Sequence, residues 1–424
     1  MPSKLTQRLE HAPSWVFTLF VIGAAFCTYS CMYAFRKPYT AALFADSPDI
    51  WGISYKSALV ISQVLGYMIS KFIGIKVVSE MSGKGRAVAI LSLIGLAELA
   101  LLGFAVVPQP YNIAFLFLNG LPLGMIWGLV FSYVEGRTKT EIIGLGLCAS
   151  FIFASGFVKD VGKWLMSLGV SEFWMPFTTG LIFALPLVIV VSLLNQTPPP
   201  NAEDEAQRTP RAPMKGPERV AFFKRFAPSL VLLIAVYSVL TAYRDFRDNF
   251  LADIWQDIRP DIAQPNFSST ETPVSISVLL VLMLLVLVKN NKRALMINHL
   301  AILGGVLTTG LATYDFHQGW IGDVAWIILT GFGTYIAYIP FNTILFDRLI
   351  ATFRYVSNVG FLIYLADSFG YLGSVSVLLY KDFGAKDLSW AGFFTNISYA
   401  LAAVGLIGMI VSWLYLRKQS ARQT

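Results

Sequence analysis

Two eight-residue segments of this chain resemble each other, and each ends in an arginine. They are YSCMYAFR at residues 29–36 and YSVLTAYR at residues 237–244. A guanidinium group offers a fork of N–H donors that matches the oxygens of a phosphate or a carboxylate. Two such groups that face one cavity repel each other until an anion binds between them. The repeat therefore predicts that Arg36 and Arg244 bind an anion.

The residues around each arginine suit a binding cavity. On a helix, side chains three and four positions apart share one face. The residues that share a face with one of the two arginines are Tyr29, Tyr33, Tyr237 and Thr241. Tyrosines there would donate hydrogen bonds to a substrate or stack on its ring, but tyrosines that only pack helix against helix have the same spacing. Both interpretations are open at the level of the sequence.

The segments that carry the arginines are long and apolar. The chain has 424 residues, of which 56% are hydrophobic and 13% charged, and its mean hydropathy is +0.63. Apolar stretches of about 20 residues, the length that spans a bilayer, predict twelve transmembrane helices. They lie at 15–35, 58–78, 87–107, 113–134, 142–166, 174–194, 228–250, 273–288, 294–313, 324–346, 356–380 and 392–416. The predicted fold class is an all-α membrane protein embedded in a lipid bilayer.

A polar segment divides the twelve helices into two sets of six. Residues 195–223 contain three consecutive prolines, then acidic and then basic residues, a composition that cannot pack a core. We expect a six-helix bundle at 1–196, a cytoplasmic linker at 197–224 and a second six-helix bundle at 225–424. Most of the 32 lysines and arginines then lie on the side of the linker and of both termini, which the positive-inside rule places in the cytoplasm.

The remaining composition narrows the class of protein. The excess of basic residues is explained by their uneven distribution across the membrane, so we expect no nucleic-acid partner. The three cysteines and three histidines lack the spacing of a metal site, and no nucleophile lies beside a base at membrane depth. We expect no metal, no cofactor and no enzymatic activity. A targeting segment is not recognisable, which fits a multi-pass monomer of a bacterial inner membrane.

Three positions give the chain a resemblance to a known family. Arg36 ends helix 1, Lys71 lies in helix 2, and Arg244 ends helix 7. The chain resembles the major facilitator superfamily and, within it, the organophosphate and inorganic phosphate antiporters, which carry glycerol phosphate or hexose phosphate. The resemblance implies two pseudo-symmetric bundles that alternate access, with the two arginines on the substrate phosphate and Lys71 assisting. Exchange for phosphate is the simplest coupling, because it needs no protonatable residue.

Other charges keep alternative functions open. Asp248 lies four positions after Arg244, where it would form an ion pair with it, and such a site would suit a zwitterionic substrate. Asp367 in helix 11 and Lys159 in helix 5 are further intramembrane charges, which serve either as static ion pairs or as parts of a proton relay. One alternative is a proton-coupled symporter or exporter of a zwitterionic or amphipathic compound that uses Asp367. Another is a non-transporting sensor of the same fold.

Charged residues at the inner ends of several helices resemble the inner gate of the superfamily. They are Lys84, Arg86, Glu135, Arg137, Asp347 and Arg348. We expect them to stabilise the outward-open state through ion pairs that break as the bundles rock, and we assign none of them to the substrate.

Overall fold

The structure is a computed structural model that describes residues 3–80, 85–135, 137, 139–200, 204, 216–261, 265–353 and 359–421. Lys84, which was predicted to belong to the inner gate, lies outside the described residues, as do residues 201–203 and 205–215 of the predicted linker.

The described residues form fifteen α-helices. The first eight are α1 (Lys4–Glu10), α2 (Ser14–Ala34), α3 (Tyr55–Glu80), α4 (Arg86–Val106), α5 (Ile113–Leu123), α6 (Ile126–Phe131), α7 (Thr140–Ser167) and α8 (Met175–Leu194). The next seven are α9 (Gly216–Ile258), α10 (Phe267–Val286), α11 (Asn291–His317), α12 (Asp323–Thr343), α13 (Leu345–Phe353), α14 (Val359–Gly384) and α15 (Trp390–Ala421).

Within the described ranges, twelve helical segments are long and apolar enough to cross a membrane, which confirms the predicted number. Helices α5 and α6 together make one of them, Ile113–Phe131. A helix satisfies its backbone N–H and C=O groups internally, and this is why apolar segments cross a bilayer in this form. Several boundaries differ from the prediction. Helix α9 begins at Gly216, inside the predicted linker, instead of residue 228. Helix α9 continues past residue 250 to Ile258, and α10 begins at Phe267 instead of residue 273.

Several breaks in the helices have identifiable causes. Helix α2 ends at Ala34, and a short 3₁₀ helix, Pro38–Ala41, follows it. Pro38 has no backbone N–H group to donate, so it cannot continue the hydrogen bonds of α2. Pro122 lies in the last turn of α5, directly before the interruption between α5 and α6. Within α9, the backbone leaves the helical conformation at Phe250 (φ −113°, ψ 18°).

Glycines let α3 and α5 touch through their backbones. A Cβ atom added at Gly66 would lie 2.2 Å from the carbonyl oxygen of Phe117, and one added at Gly120 would lie 2.1 Å from that of Gln63. Close backbone approach through small residues is a usual way of packing helices in membranes. It brings the side chains of α3 and α5 near the turn that follows α2.

The chain divides into two compact units. The first consists of Met1–Arg208, Asn249–Thr272 and Leu378–Gly384, and the second of Thr209–Asp248, Pro273–Val377 and Ala385–Thr424. The end of α9, the first turns of α10 and the end of α14 therefore belong to the first unit.

Candidate functional site

In the first unit, Arg36 and Lys71 lie on the same aromatic ring. Arg36 follows the end of α2 and is buried, and its guanidinium carbon is 3.8 Å from the centroid of the Tyr67 ring. The Nζ atom of Lys71, which is one turn further along α3, is 5.5 Å from the same centroid. The negative face of a tyrosine ring attracts cations at these distances. The structure thus brings two predicted substrate-binding residues together and adds Tyr67, which the sequence did not single out.

Side-chain amides hold the backbone that carries Arg36. Gln63 Nε2 donates to the carbonyl oxygen of Arg36 at 2.9 Å, and Asn119 Nδ2 donates to that of Phe35 at 2.9 Å. The two amides are joined by a hydrogen bond of 2.7 Å from Gln63 Nε2 to Asn119 Oδ1. Because both amides are buried, this network fixes the turn after α2.

Tyr29 and Tyr33, which were predicted to line a cavity, lie against other aromatic rings. The ring centroid of Tyr29 is 5.6 Å from that of Tyr33, 5.5 Å from that of Trp127 and 5.3 Å from that of Phe151. All three pairs meet edge to face, which is a favourable geometry for aromatic packing. These contacts join α2 to α6 and α7 and keep the face of α2 that leads to Arg36 in place.

In the second unit, Arg244 of α9 also lies on a tyrosine ring. Its guanidinium carbon is 4.2 Å from the centroid of the Tyr338 ring in α12. Arg244 Nη2 also forms an ion pair of 2.6 Å with Asp245 Oδ1, and Asp245 Oδ2 accepts a hydrogen bond of 3.0 Å from Ser374. The sequence pointed to Asp248 as the ion-pair partner, whereas the carboxylate that accepts from Arg244 here is that of the next residue.

Tyr338 also connects Arg244 with a buried carboxylate. The Tyr237 and Tyr338 rings stack with their centroids 5.1 Å apart, and their hydroxyl oxygens are 2.9 Å apart. The Tyr237 hydroxyl donates a short hydrogen bond to Asp367, which is buried in α14. Thr241 donates back to the carbonyl oxygen of Tyr237 at 2.8 Å, so its hydroxyl is engaged within its own helix.

An arginine thus lies close to the centre of a tyrosine ring in each unit, between the end of α2 and α3 in the first and between α9 and α12 in the second. The surroundings differ in charge. The first unit places a second cation, Lys71, on the ring. The second unit places a carboxylate, Asp245, on the arginine.

Lys159 and Asp160 of α7 lie against the start of α10. Lys159 is buried, and its Nζ atom is 5.6 Å from the Phe267 ring centroid. The two oxygens of Asp160 accept hydrogen bonds from the backbone N–H groups of Phe267 at 2.7 Å and Ser268 at 2.8 Å. The first N–H groups of a helix have no partner within it, so Asp160 serves as the cap of α10.

A buried ion pair that the sequence did not single out joins α3 to the end of α9. Lys56 Nζ lies 2.6 Å from Asp253 Oδ2 and also donates to the carbonyl oxygen of Thr40 at 3.1 Å. Nearby in the chain, Lys37 Nζ donates to Asn249 Oδ1 at 2.7 Å. The sequence signal that could have indicated this ion pair is the lysine at the start of an apolar run, since ionisable residues within membrane segments usually have partners.

Arg86 and Arg348, two of the residues predicted to form an inner gate, donate to polar groups of their own units. Arg86 Nη1 donates to the carbonyl oxygen of Ser132 at 3.0 Å. Arg348 Nη1 donates to Asn291 Oδ1 at 2.7 Å. The first contact joins the start of α4 to the residue that follows α6, and the second joins α13 to the start of α11.

Arg137 donates to two backbone carbonyl groups. One belongs to Tyr133, at 3.1 Å from Arg137 Nε, and the other to Pro198. Burial lowers the pKa of Arg137 from its ordinary value, and Asp204 opposes this change. Arg137 therefore fastens the end of α8 to the loop before α7.

Comparisons with known proteins identify a sequence family and structures with a similar fold. A model of a family of unknown function (DUF5690) matches residues 38–419. No curated protein matches the chain.

Solved transporter structures match almost the whole chain. A mutant peptide transporter POT in complex with sulfate matches with a TM-score of 0.60 at 14% identity, over 97% of this chain and 95% of that chain. A bacterial homologue of the human peptide transporters PepT1 and PepT2 matches with a TM-score of 0.60 at 13% identity, over 95% and 98%. A D-xylose-proton symporter matches with a TM-score of 0.55 at 16% identity, over 94% and 98%. These likenesses confirm the predicted fold class, the twelve-helix major facilitator fold.

Proposed function

Since this chain belongs to the family of unknown function DUF5690, whose activity has to be inferred from the site, we propose that it is a secondary transporter of a small anionic organic solute. The observation that carries the proposal is an arginine close to the centre of a tyrosine ring in each unit. Arg36 is buried, and Arg244 is partly buried. A chain of twelve helices built from two related halves is the arrangement of carriers that alternate access. We assign anion binding to Arg36 in the first unit and to Arg244 in the second.

The substrate class that we propose is an organophosphate or a similar anion. The N–H donors along the edge of a guanidinium group match two phosphate oxygens at once. At Arg244 the Nε and Nη2 donors bond to Asp245, so a bound anion would take the place of this carboxylate there. Lys71, on the same ring as Arg36, adds a second positive charge for a doubly charged group. The tyrosine rings offer an apolar surface to the organic part of the substrate.

A second candidate function rests on the acidic groups of the second unit. Asp245 accepts from Arg244, and Asp367 accepts from Tyr237. These carboxylates would attract the ammonium group of a zwitterion, and Asp367 would carry a proton. The corresponding function is proton-coupled symport or export of a zwitterionic or amphipathic compound.

A thermal-shift screen tests the anion site. The purified protein is heated with phosphate, phosphorylated sugars, phosphonates, carboxylates and zwitterions, and the same screen is repeated with Arg36→Lys and Arg244→Lys. We expect phosphorylated compounds to raise the midpoint of unfolding of the native protein and to lose this effect in both variants, because lysine keeps the charge and loses the fork. Arg8→Lys, at an exposed position in α1, is the matched control and should behave as the native protein.

Two outcomes would redirect the proposal. Stabilisation by zwitterions alone would favour the second candidate. Stabilisation by a phosphorylated compound without counterflow of that compound in proteoliposomes would identify a non-transporting sensor. If no anion changes the midpoint of the native protein, the anion site is wrong.

A further inference from the structure

Glu98 is an isolated acidic residue in the middle of a membrane-spanning helix. It lies in α4, and neither of its carboxyl oxygens, both of which are buried, has a hydrogen-bond partner among the described residues. The other buried carboxylates discussed above, those of Asp245, Asp253 and Asp367, all accept hydrogen bonds. Glu98 therefore differs from them in having no group that would compensate a negative charge.

The helices around Glu98 supply no compensating cation. Helix α4 packs mainly on α5, α6 and α8, and these three helices contain no lysine, arginine, histidine, aspartate or glutamate. The other ionisable residue of α4 is Arg86 at its first position, about 18 Å away along the helix axis at 1.5 Å per residue. Among the described residues, the helices that pack closely on α4 thus place no ionisable side chain beside Glu98.

Gly180 of α8 makes room for the carboxyl group. A Cβ atom added at Gly180 would lie 2.1 Å from Glu98 Oε2 and 2.7 Å from its Cδ atom. The side chain therefore fills a slot whose wall is a glycine backbone. Even alanine at position 180 would displace it.

Such a slot accommodates a neutral acid far better than a carboxylate. Moving an unpaired charge out of water into an apolar environment is expensive, whereas a protonated carboxyl group loses much less solvation. Burial without a partner disfavours the charged form of an acid. Leucine or methionine would pack at this position about as well as glutamate. What glutamate adds is a carboxyl group whose charge changes when it gains or loses a proton.

We propose that Glu98 is the proton-binding residue of the transport cycle and that the solute is moved together with protons. This inference rests on the proposed transport function, and it puts proton coupling in place of exchange for phosphate. A bound proton also compensates the charge of an entering anion, which would otherwise move against a membrane potential that is negative inside.

Helix α4 is connected to the anion site next to Glu98. Asn119 Nδ2 donates to the carbonyl oxygen of Ala97 at 3.0 Å and to that of Phe35 at 2.9 Å. Ala97 precedes Glu98, and Phe35 precedes Arg36. A displacement of α4 that follows loss of the proton therefore reaches the turn that carries Arg36 through a single buried amide.

Labelling with dicyclohexylcarbodiimide tests whether Glu98 binds a proton. The O–H group of a protonated carboxyl adds across one C=N bond of the reagent: the proton goes to nitrogen, and the carboxyl oxygen bonds to the central carbon. The O-acylisourea then rearranges to an N-acylurea that retains the whole reagent. We expect mass spectrometry to find this adduct on Glu98 of the native protein in membranes, and to find less of it as the pH is raised.

Two variants serve as controls for the labelling. Glu98→Gln, which preserves the size of the side chain, should lose the adduct, and Glu10→Gln, at an exposed carboxyl in α1, should keep it. An unlabelled Glu98 in the native protein, or labelling that does not depend on pH, overturns the proposal without any variant.

A transport assay separates failure of this inference from failure of the proposed function. Proteoliposomes are tested with the anion that gives the largest shift in the thermal screen. Glu98→Gln should retain counterflow of that anion and lose accumulation driven by a pH gradient. Accumulation equal to that of the native protein overturns proton coupling through Glu98. If the native protein shows no counterflow of any anion, the transport function fails, and the labelling still shows whether Glu98 binds a proton.

Discussion

The ring of Tyr67 attracts two cations, with the guanidinium carbon of Arg36 at 3.8 Å and the Nζ atom of Lys71 at 5.5 Å from its centroid. An aromatic face stabilises a buried cation without cancelling its charge, and a carboxylate at the same place would cancel it. The arrangement orients Arg36, the residue to which we assign anion binding. We therefore propose Tyr67 as a positioning residue for that site.

Replacing the ring should weaken anion binding. We expect Tyr67→Leu to raise the Kd of the anion selected in the thermal screen by about fivefold, since a cation–π contact contributes about 1 kcal/mol. Tyr67→Phe keeps the aromatic face and is the matched control, so its Kd should stay within about twofold of the native value. Isothermal titration calorimetry measures both. Equal losses in the two variants would assign the effect to the hydroxyl group and contradict the role of the ring.

At the scale of the elements, long apolar runs were enough to predict twelve spans, because each span has to satisfy its own backbone. The end of α9 was missed, since Asp253 and Asp257 interrupt the apolar run there. In the structure the helix continues to Ile258, and Asp253 is buried against Lys56. Hydropathy measures single residues, and such partners are visible only in three dimensions.

The site was predictable to a similar extent. Arg36 and Lys71 were recognisable because charges are rare in membrane segments, and the structure brings them to one ring. Tyr67 gave no such signal, since it is one of 18 tyrosines. Glu98 did give this signal, as a single acid in an apolar run. Its isolation became apparent only when α5, α6 and α8 could be inspected around it.

The cap that Asp160 provides to α10 should be measurable as stability. Asp160→Ala leaves the backbone N–H groups of Phe267 and Ser268 without their acceptor, and we expect the free energy of unfolding to fall by about 1–2 kcal/mol. Asp160→Asn keeps one acceptor oxygen and should cost less. Denaturant unfolding in detergent measures both, with Asp46→Ala at an exposed position as the control. A stable Asp160→Ala variant would show that the cap contributes little.

At the scale of the whole molecule, α9 belongs to both units. Its part up to Asp248 lies in the second unit and its part from Asn249 lies in the first, with a non-helical residue, Phe250, just after the change. Arg244 is thus separated by only a few residues from Asp253, which is paired with Lys56 in the first unit. Under the proposed transport function, this stretch of α9 is the covalent connection between Arg244 and the ion pair of Asp253.

The ion pair of Lys56 with Asp253 fastens the end of α9 within the first unit, and a double-mutant cycle measures how strongly. Lys56→Met leaves the buried carboxylate without its cation, so we expect the free energy of unfolding to fall by about 3–5 kcal/mol. Lys56→Met combined with Asp253→Leu removes both charges and should recover most of this loss, because an apolar pair of similar size has no charge to desolvate. Lys386→Met, at an exposed position, controls for loss of a lysine. If the double variant is as unstable as the single one, the contribution of Lys56 lies in its packing or in its hydrogen bond to Thr40, and the end of α9 is held by other contacts.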